Sequence, residues 1–334
     1  MTTLPPPPIP AAGPTRASAS LKTPERSLPA IRSLRSWFDS GADTASDGDS
    51  SGMDRIDWLR ATPFIAMHVA CVAVLWVGVS PVALAVTAAL YVVRMFAITA
   101  FYHRYFSHRT FRAPRAVQFL FALIGASCVQ RGPLWWAAHH RTHHRHTDTA
   151  QDPHSPAVRG FWWSHVGWFL TPRNFRTDLS RVPDLAKYPE LRWLDRFDVV
   201  VPVALALSLY ALGSGLQAFA PHWGTSGGQM VVWGFFISTT VLFHATVTIN
   251  SLAHRFGSRR FDTRDDSRNN LWLALLTFGE GWHNNHHFFP GSSRQGFRWW
   301  EVDLTWYGLK LMAVFGLVSG LKPVPAWVLE KGRR

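Results

Sequence analysis

The sequence has 334 residues, of which 16% are charged and 14% aromatic, and a formal net charge of +13. So few charges in so aromatic a chain argue against an ordinary soluble domain. The basic excess then speaks for membrane orientation and anionic headgroups rather than nucleic acid. Two cysteines without CxxC spacing, Cys71 and Cys128, exclude a disulfide framework and read as buried thiols in a reducing compartment.

Residues 1–52 are rich in Pro, Ala, Ser and Gly and offer too little apolar surface to offset ordering, so a disordered extension is expected there. No apolar core follows their basic residues, so they do not read as a secretory signal. Met53, where patterned sequence begins, is a second candidate start.

From Ala61 to Tyr102 the chain is apolar apart from Arg94, with Ser80-Pro81 near its middle. A span takes ~20 residues, so this run predicts two spans, about 62–80 and 82–102, with Arg94 near the exit of the second. Ala116–Val129 is apolar but too short to cross. Val199–Ala220 and Met230–Ile249 predict two further spans, about 199–220 and 230–250. The linker Pro221–Gln229 carries no charge, whereas residues 103–198 carry 14 Lys or Arg. The positive-inside rule therefore places both bare turns away from the cytoplasm, and both termini on it. The fold expected is an all-α membrane protein, four spans in two hairpins. A cytosolic cap of residues 103–198 and 251–325 completes a domain of 53–325. Arg298–Val318 reads as an amphipathic helix on the membrane surface, with a fifth span as the alternative, and 326–334 as a basic tail.

Three histidine clusters lie outside the apolar runs. His103 and His108 stand in HRYFSH; His140, His143 and His144 in HRTHH; His283, His286 and His287 in GEGWHNNHH. Imidazole suits iron, zinc, copper or nickel, and eight rings exceed the coordination number of one ion, so two metals are expected. Asn250 and His254 are four apart on one helix face; His254 is a ninth candidate ligand, and Asn250 a residue that holds a water for a metal. Asp148, Asp152, Glu280 and Asn284 lie close enough in sequence to orient the rings. His68 and His244 fall inside spans and read as core hydrogen-bonding residues, and His222 as an outer-loop residue. His139 and His146 flank the second cluster, while a role beside the ligands competes with simple packing for His154 and His165.

HRYFSH, HRTHH, DPHSPAVRGFWWSHVGW, NSLAH and GEGWHNNHH together resemble the membrane fatty-acid desaturases of the acyl-CoA and acyl-lipid Δ9 type, over about Phe96–Trp306. The resemblance implies a di-iron centre, O2 as oxidant, and removal of two hydrogens from a saturated acyl chain. Carried over, its ligands are His103, His108, His140, His143, His144, His254, His283, His286 and His287, with Asn250 acting through a water.

Animal acyl-CoA members carry a basic residue two positions before the second box, where this chain has Ala138. Arg131, Arg159, Arg173 and Arg176 are the alternative phosphate contacts, and acyl-CoA is placed slightly ahead of acyl-lipid as substrate. The His-Pro-Gly-Gly haem motif of a fused cytochrome b5 does not occur. Electrons are therefore expected from a separate ferredoxin-, rubredoxin- or cytochrome b5-like carrier with its reductase. The competing readings are a hydroxylase on the same scaffold and a non-catalytic metal-binding membrane protein.

Overall fold

The computed structural model describes residues 37–41 and 53–332, so most of the extension expected to be disordered lies outside the described residues. Trp37–Gly41 departs from that expectation. The Trp37 indole donates to the Leu59 carbonyl at 3.1 Å, and Arg196 donates twice to Asp39 at 2.8 Å.

Among the described residues the fold is all-helical, with isolated bridges but no named strand. Four helices are long and apolar enough to cross a membrane: α1 (Trp58–Val77), α2 (Pro81–Ser107), α6 (Val200–Phe219) and α7 (Gly227–Ser251). Between them lie α3 (Arg115–Ala126), α4 (Pro133–His146) and α5 (Pro189–Arg196); after them come α8 (Leu271–Leu276), α9 (His283–Phe288), α10 (Leu304–Val314) and α11 (Ala326–Lys331).

The turn expected at Ser80-Pro81 has a physical basis. Gly78 takes a positive φ of 66°, Ser80 accepts from the Ala83 amide at 3.1 Å, and Pro81 opens the next helix where its missing N–H costs nothing. α2 then runs for 27 residues, roughly 40 Å at 1.5 Å each, which exceeds the ~30 Å hydrocarbon core and leaves about two turns beyond it.

Arg94, expected near the exit of that span, is enclosed by protein. It is buried within the bundle, donating to Ser238 Oγ (2.6 Å), Thr239 Oγ1 (2.8 Å) and the Ser127 carbonyl (3.2 Å). The helix continues three turns past it, so hydroxyls of α7 take its N–H groups in place of water. α6 and α7 approach through small residues: a Cβ on Gly213 would stand 2.4 Å from the Ser226 carbonyl oxygen.

The stretch expected to form one surface helix over 298–318 is helical only at Leu304–Val314. Eleven residues rise about 16 Å, too short for a fifth span. Asp303 caps it, accepting from the Trp306 amide at 2.9 Å, while Leu304, Leu311 and Val314 remain exposed. Of the basic tail, Ala326–Lys331 is a helix whose buried Val328 packs with Phe261 and Phe297. The main core joins the ends of α2, α3 and α4 around Phe101, Tyr102, Phe106 and Leu134.

Candidate metal centre

The last eleven residues of α2, Ala97–Ser107, form a π-helix, bonded i→i+5. The His108 amide bonds to the His103 carbonyl in that register at 3.3 Å. The wider turn brings residues five apart to one side, so the H-x4-H spacing that would diverge on an α-helix delivers both rings to one place. In α4 and α9 the H-x-x-H-H spacing puts three rings on one face.

The nine histidines divide into two clusters: His103, His108, His140, His144 and His286, and His143, His254, His283 and His287. Each H-x-x-H-H box splits. Its i/i+4 pair (His140 and His144; His283 and His287) enters one cluster, and its middle ring (His143; His286) crosses to the other. The two elements thus interlock, and neither cluster exists without both.

Every ring turns Nε2 inward. Nε2–Nε2 distances are 2.8 Å for His108–His140, 2.9 Å for His144–His286, 3.0 Å for His103–His286 and His254–His283, and 3.4 Å for His143–His287. Carboxylates hold the other nitrogen of four rings. Asp152 accepts from His143 Nδ1 (2.9 Å), Asp148 from His254 (3.1 Å), Asp265 from His287 (3.0 Å), and Glu280 from His103. With Nδ1–H so fixed, His143 and His287 face one another with bare Nε2 lone pairs, an arrangement that repels unless a cation lies between them. The donor set is imidazole throughout. The residues therefore fit metal ions of the iron, zinc, copper or nickel kind.

Burial, followed by neighbouring imidazoles, holds His108, His140, His144, His283, His286 and His287 well below the ordinary histidine range, so they stand as neutral ligands. Burial also works against protonation of His143, but Asp152 beside it outweighs this and raises its pKa. Asp148 holds its place with backbone strain, at a positive φ of 57°. Arg104, next to His103, is fully enclosed and bonds Glu280 (3.0 Å), Asp303 (3.0 Å) and the Ser293 carbonyl (2.8 Å), which fixes the Glu280 carboxylate.

Of the four orienting residues read from sequence, Asp148, Asp152 and Glu280 reach a ring and Asn284 does not. Asn284 Oδ1 accepts from the amides of Arg260 (2.9 Å) and Phe261 (2.8 Å), pinning the 255–268 loop to α9 instead. Asp265 and Gln295 were not singled out in the sequence. Gln295 touches Glu280 (2.8 Å), His103 (3.2 Å) and His286 (3.4 Å). Asp265 sits in a polar loop, DTRDDSRNN, without periodicity to mark it; nearness to His254 was the one available signal.

His154 packs on His143 with ring centroids 4.3 Å apart. His139 bonds its own helix at Trp135 (2.9 Å), and burial lowers its pKa to about 4. His222 lies exposed in the turn Pro221–Trp223. His68 and His244 bond each other at 3.0 Å.

An apolar cavity of about 500 Å³ leads to the clusters. Phe64, Met67, Phe169 and Phe243 form part of its wall, and Trp136, His140 and Asn250 stand at its inner end. A small extension of about 40 Å³ continues past Asn250 among His103, His143 and His283. A second cavity of about 490 Å³, lined by Arg159, Arg173 and Arg176 together with Asp54, Asp152 and Asp178, shares His139 with the first.

Two interlocked imidazole clusters that could hold metal ions, beside an apolar cavity and in a fold with four helices long and apolar enough to cross a membrane, are the features of a membrane-associated metal-binding protein. The fatty acid desaturase family model matches residues 62–316. The chain is 37% identical over 276 residues to the sn-1 stearoyl-lipid 9-desaturase of Anabaena variabilis, covering 82% of this chain and 96% of that protein. It is 40% identical over 229 residues to the sn-2 palmitoyl-lipid 9-desaturase of Nostoc sp. (strain 36), covering 67% and 75%. It is also 40% identical over 240 residues to an acyl-CoA 5-desaturase of Anemone leveillei, covering 71% and 70%. The chain belongs to the fatty acid desaturase family and is an oxidoreductase.

Proposed function

We propose that this protein inserts a cis Δ9 double bond into a saturated acyl chain carried on a membrane lipid, using two iron ions, O2 and electrons from a separate carrier. The observation that carries the reading is an apolar cavity sized for an acyl chain whose lining reaches His140 of one cluster, beside a small pocket at Asn250 that His103 of that cluster and His143 and His283 of the other line. Two similar proteins are named as lipid 9-desaturases, which supports both the regiochemistry and the lipid-bound substrate.

The sequence leans toward acyl-CoA; the ion pairs weigh the other way. Arg159 and Arg173 are both tied to Asp54, and Arg131 to Asp198 at 3.3 Å. Of the four cations offered for phosphate, Arg176 alone has no such carboxylate pair among the described residues, so part of the charge a polyphosphate head group would meet is already committed.

The nine histidines would hold the metals, and Asn250, facing the same space, would hold a water beside them. Bound iron supplies the O2 chemistry needed to oxidise an unactivated methylene, which no side chain can do. The protein's own part is positioning. The apolar wall seats the acyl chain and excludes water, while Trp136 and Asn250 stand where it meets the rings. Asp148, Asp152, Asp265 and Glu280 keep Nδ1 protonated and Nε2 free. The net change is CH2–CH2, O2, two electrons and two protons to CH=CH and two waters.

The bare turns at Gly78–Ser80 and 220–226, against the arginine-rich side that carries the rings, support two hairpins with cap, metal site and termini facing the cytoplasm. A ferredoxin-, rubredoxin- or cytochrome b5-like carrier would then dock on that face, the functional unit being 53–325.

The test is the fatty-acid profile of cells expressing the chain beside cells expressing His287→Ala. A carbon-9 monoene absent from the variant is expected. Hydroxylated chains would move the reaction class to the hydroxylase reading. No new product, with metal bound and a carrier and reductase supplied, would overturn the proposal.

A further inference from the structure

Behind the cavity wall, outside both metal clusters, three imidazoles and a hydroxyl form one continuous chain. His68 Nδ1 donates to the Phe64 carbonyl at 2.8 Å, and its Nε2 meets His244 Nε2 at 3.0 Å. His244 Nδ1 meets His165 Nε2 at 3.1 Å, and His165 Nδ1 meets Ser251 Oγ at 3.0 Å. The chain joins three segments distant in sequence: α1, α7 and the π turn Trp163–Gly167.

Counting hydrogens gives the chain a direction. Four contacts each need one proton, and three neutral imidazoles bring three. The fourth comes from Ser251, whose hydroxyl must then point at His165 rather than at the Val247 carbonyl, 3.0 Å away on its own helix. The alternative is an extra proton, hence a cation, in a bilayer-facing seam, which is the costlier arrangement. The neutral chain runs Ser251 to His165 to His244 to His68 to the Phe64 carbonyl, with every tautomer set by its neighbour.

What the chain braces is the acyl cavity. None of the three imidazoles lines it, but the residues beside them do: Phe64 and Met67 on α1, Phe243 and Val247 on α7, and Phe169 after the π turn. The rings of Phe64, Phe169 and Phe243 form a triangle with centroids 5.2 to 5.5 Å apart, one ring from each braced segment. α1 is the least buried of the four span-length helices, with 11% of its apolar window buried against 50% for α7. Between membrane helices, lipid supplies no hydrophobic drive, so packing and specific hydrogen bonds fix position. One turn further along, Cys71 Sγ and Thr240 Oγ1 at 3.4 Å extend the same seam.

We propose that His68, His244 and His165 are positioning residues that lock the Phe64–Phe169–Phe243 wall, and so set which methylene pair of the acyl chain stops at the histidine clusters. This inference rests on the acyl-desaturase reading above. It assigns His68 and His244 a part in selectivity rather than in core bonding alone.

The test compares wild type with His244→Phe, His68→Phe and Ser251→Ala, and with the hydrogen-bonding replacement His244→Gln, in cells and as purified protein. Readouts are double-bond position, the ratio of C16 to C18 monoenes, and metal content. Expected are full metal loading and a selectivity ratio relaxed by roughly tenfold, the discrimination one methylene commands in an apolar pocket, with His244→Gln closest to wild type. Active variants whose positions and chain-length ratio match wild type would overturn the proposal. Loss of metal in all four would also overturn it, because the seam would then serve the metal site. A wild type that makes no monoene would instead count against the acyl-desaturase reading.

Discussion

Asp265 Oδ2 lies 3.0 Å from Nδ1 of His287, and through that bond a residue of an irregular loop aims a ring on α9 at the cluster shared with His143. A carboxylate behind an imidazole fixes its tautomer and raises its basicity, and loss of such a partner typically costs 10–100-fold in metal affinity or activity. Asp265→Ala is therefore expected to weaken metal retention by roughly 10–100-fold, with Asp265→Asn milder because its amide oxygen still accepts the N–H. Competition with a chelator, read as metal per protein, checks this. Retention equal to wild type would show that His287 needs no such support.

The crossing of the two boxes makes an unusual stoichiometry prediction. His143 and His283 belong to one cluster although they sit in different boxes, while His143 and its neighbour His144 belong to different ones. His143→Ala with His283→Ala leaves two rings in one cluster and should thus lower bound metal from about two ions to about one, whereas His143→Ala with His144→Ala leaves four and three rings and should weaken both sites without emptying either. Metal analysis of the two double variants decides it. Equal losses would mean that the rings act as one pooled site.

The four span-length apolar helices, the turn at Ser80-Pro81 and the gathering of the nine rings were legible because hydropathy and short spacings are local signals. The partition of the rings was not. Which cluster His143 or His286 joins depends on how α4 and α9 face each other, and on the π register of Ala97–Ser107, which no period of 3.6 reveals. The partners of Arg94 were not legible for a related reason. A lone arginine late in an apolar run reads as a membrane boundary, and only the hydroxyls of Ser238 and Thr239, about 145 residues away, make it an interior residue. Asn284 was assigned by nearness in sequence to the rings, but its amide serves loop backbone.

Arg104 supports a stability prediction. Its guanidinium is 1% exposed and pairs with Glu280 and Asp303, both buried. Removing one partner of a buried pair leaves charge uncompensated, which costs about 3–5 kcal/mol. Arg104→Met should lower the melting temperature of purified protein and disturb His103 through Glu280. Adding Glu280→Gln and Asp303→Asn should recover part of the loss. A single variant as stable as wild type would show that water or a rearranged side chain replaces the guanidinium.

Acid should unfold the metal-free protein through the same rings that are proposed to hold metal. His108, His140, His144, His283, His286 and His287 have folded pKa values well below the ordinary histidine range, first from burial and then from neighbouring imidazoles. The unfolded chain takes up their protons near pH 6.5 while the folded one does not, so it binds more protons below that pH and stability falls as pH drops. Each ring contributes a slope of roughly 1.4 kcal/mol per pH unit in that window. His143 opposes them, because Asp152 raises its pKa and its contribution is fully present only at low pH. The carboxylates Asp148, Asp265 and Glu280, whose pKa values are lowered, lose their contribution only below about pH 4, whereas Asp195, pushed up to about 6 by burial, takes up a proton between pH 6.5 and 5 and partly offsets the imidazoles there. Melting curves of chelator-treated protein in detergent across that interval should fall steeply, and those of the metal-loaded protein should fall at lower pH. A flat profile without metal would mean that the rings are protonated or solvated in the apo fold, and that the clusters form only around their ions.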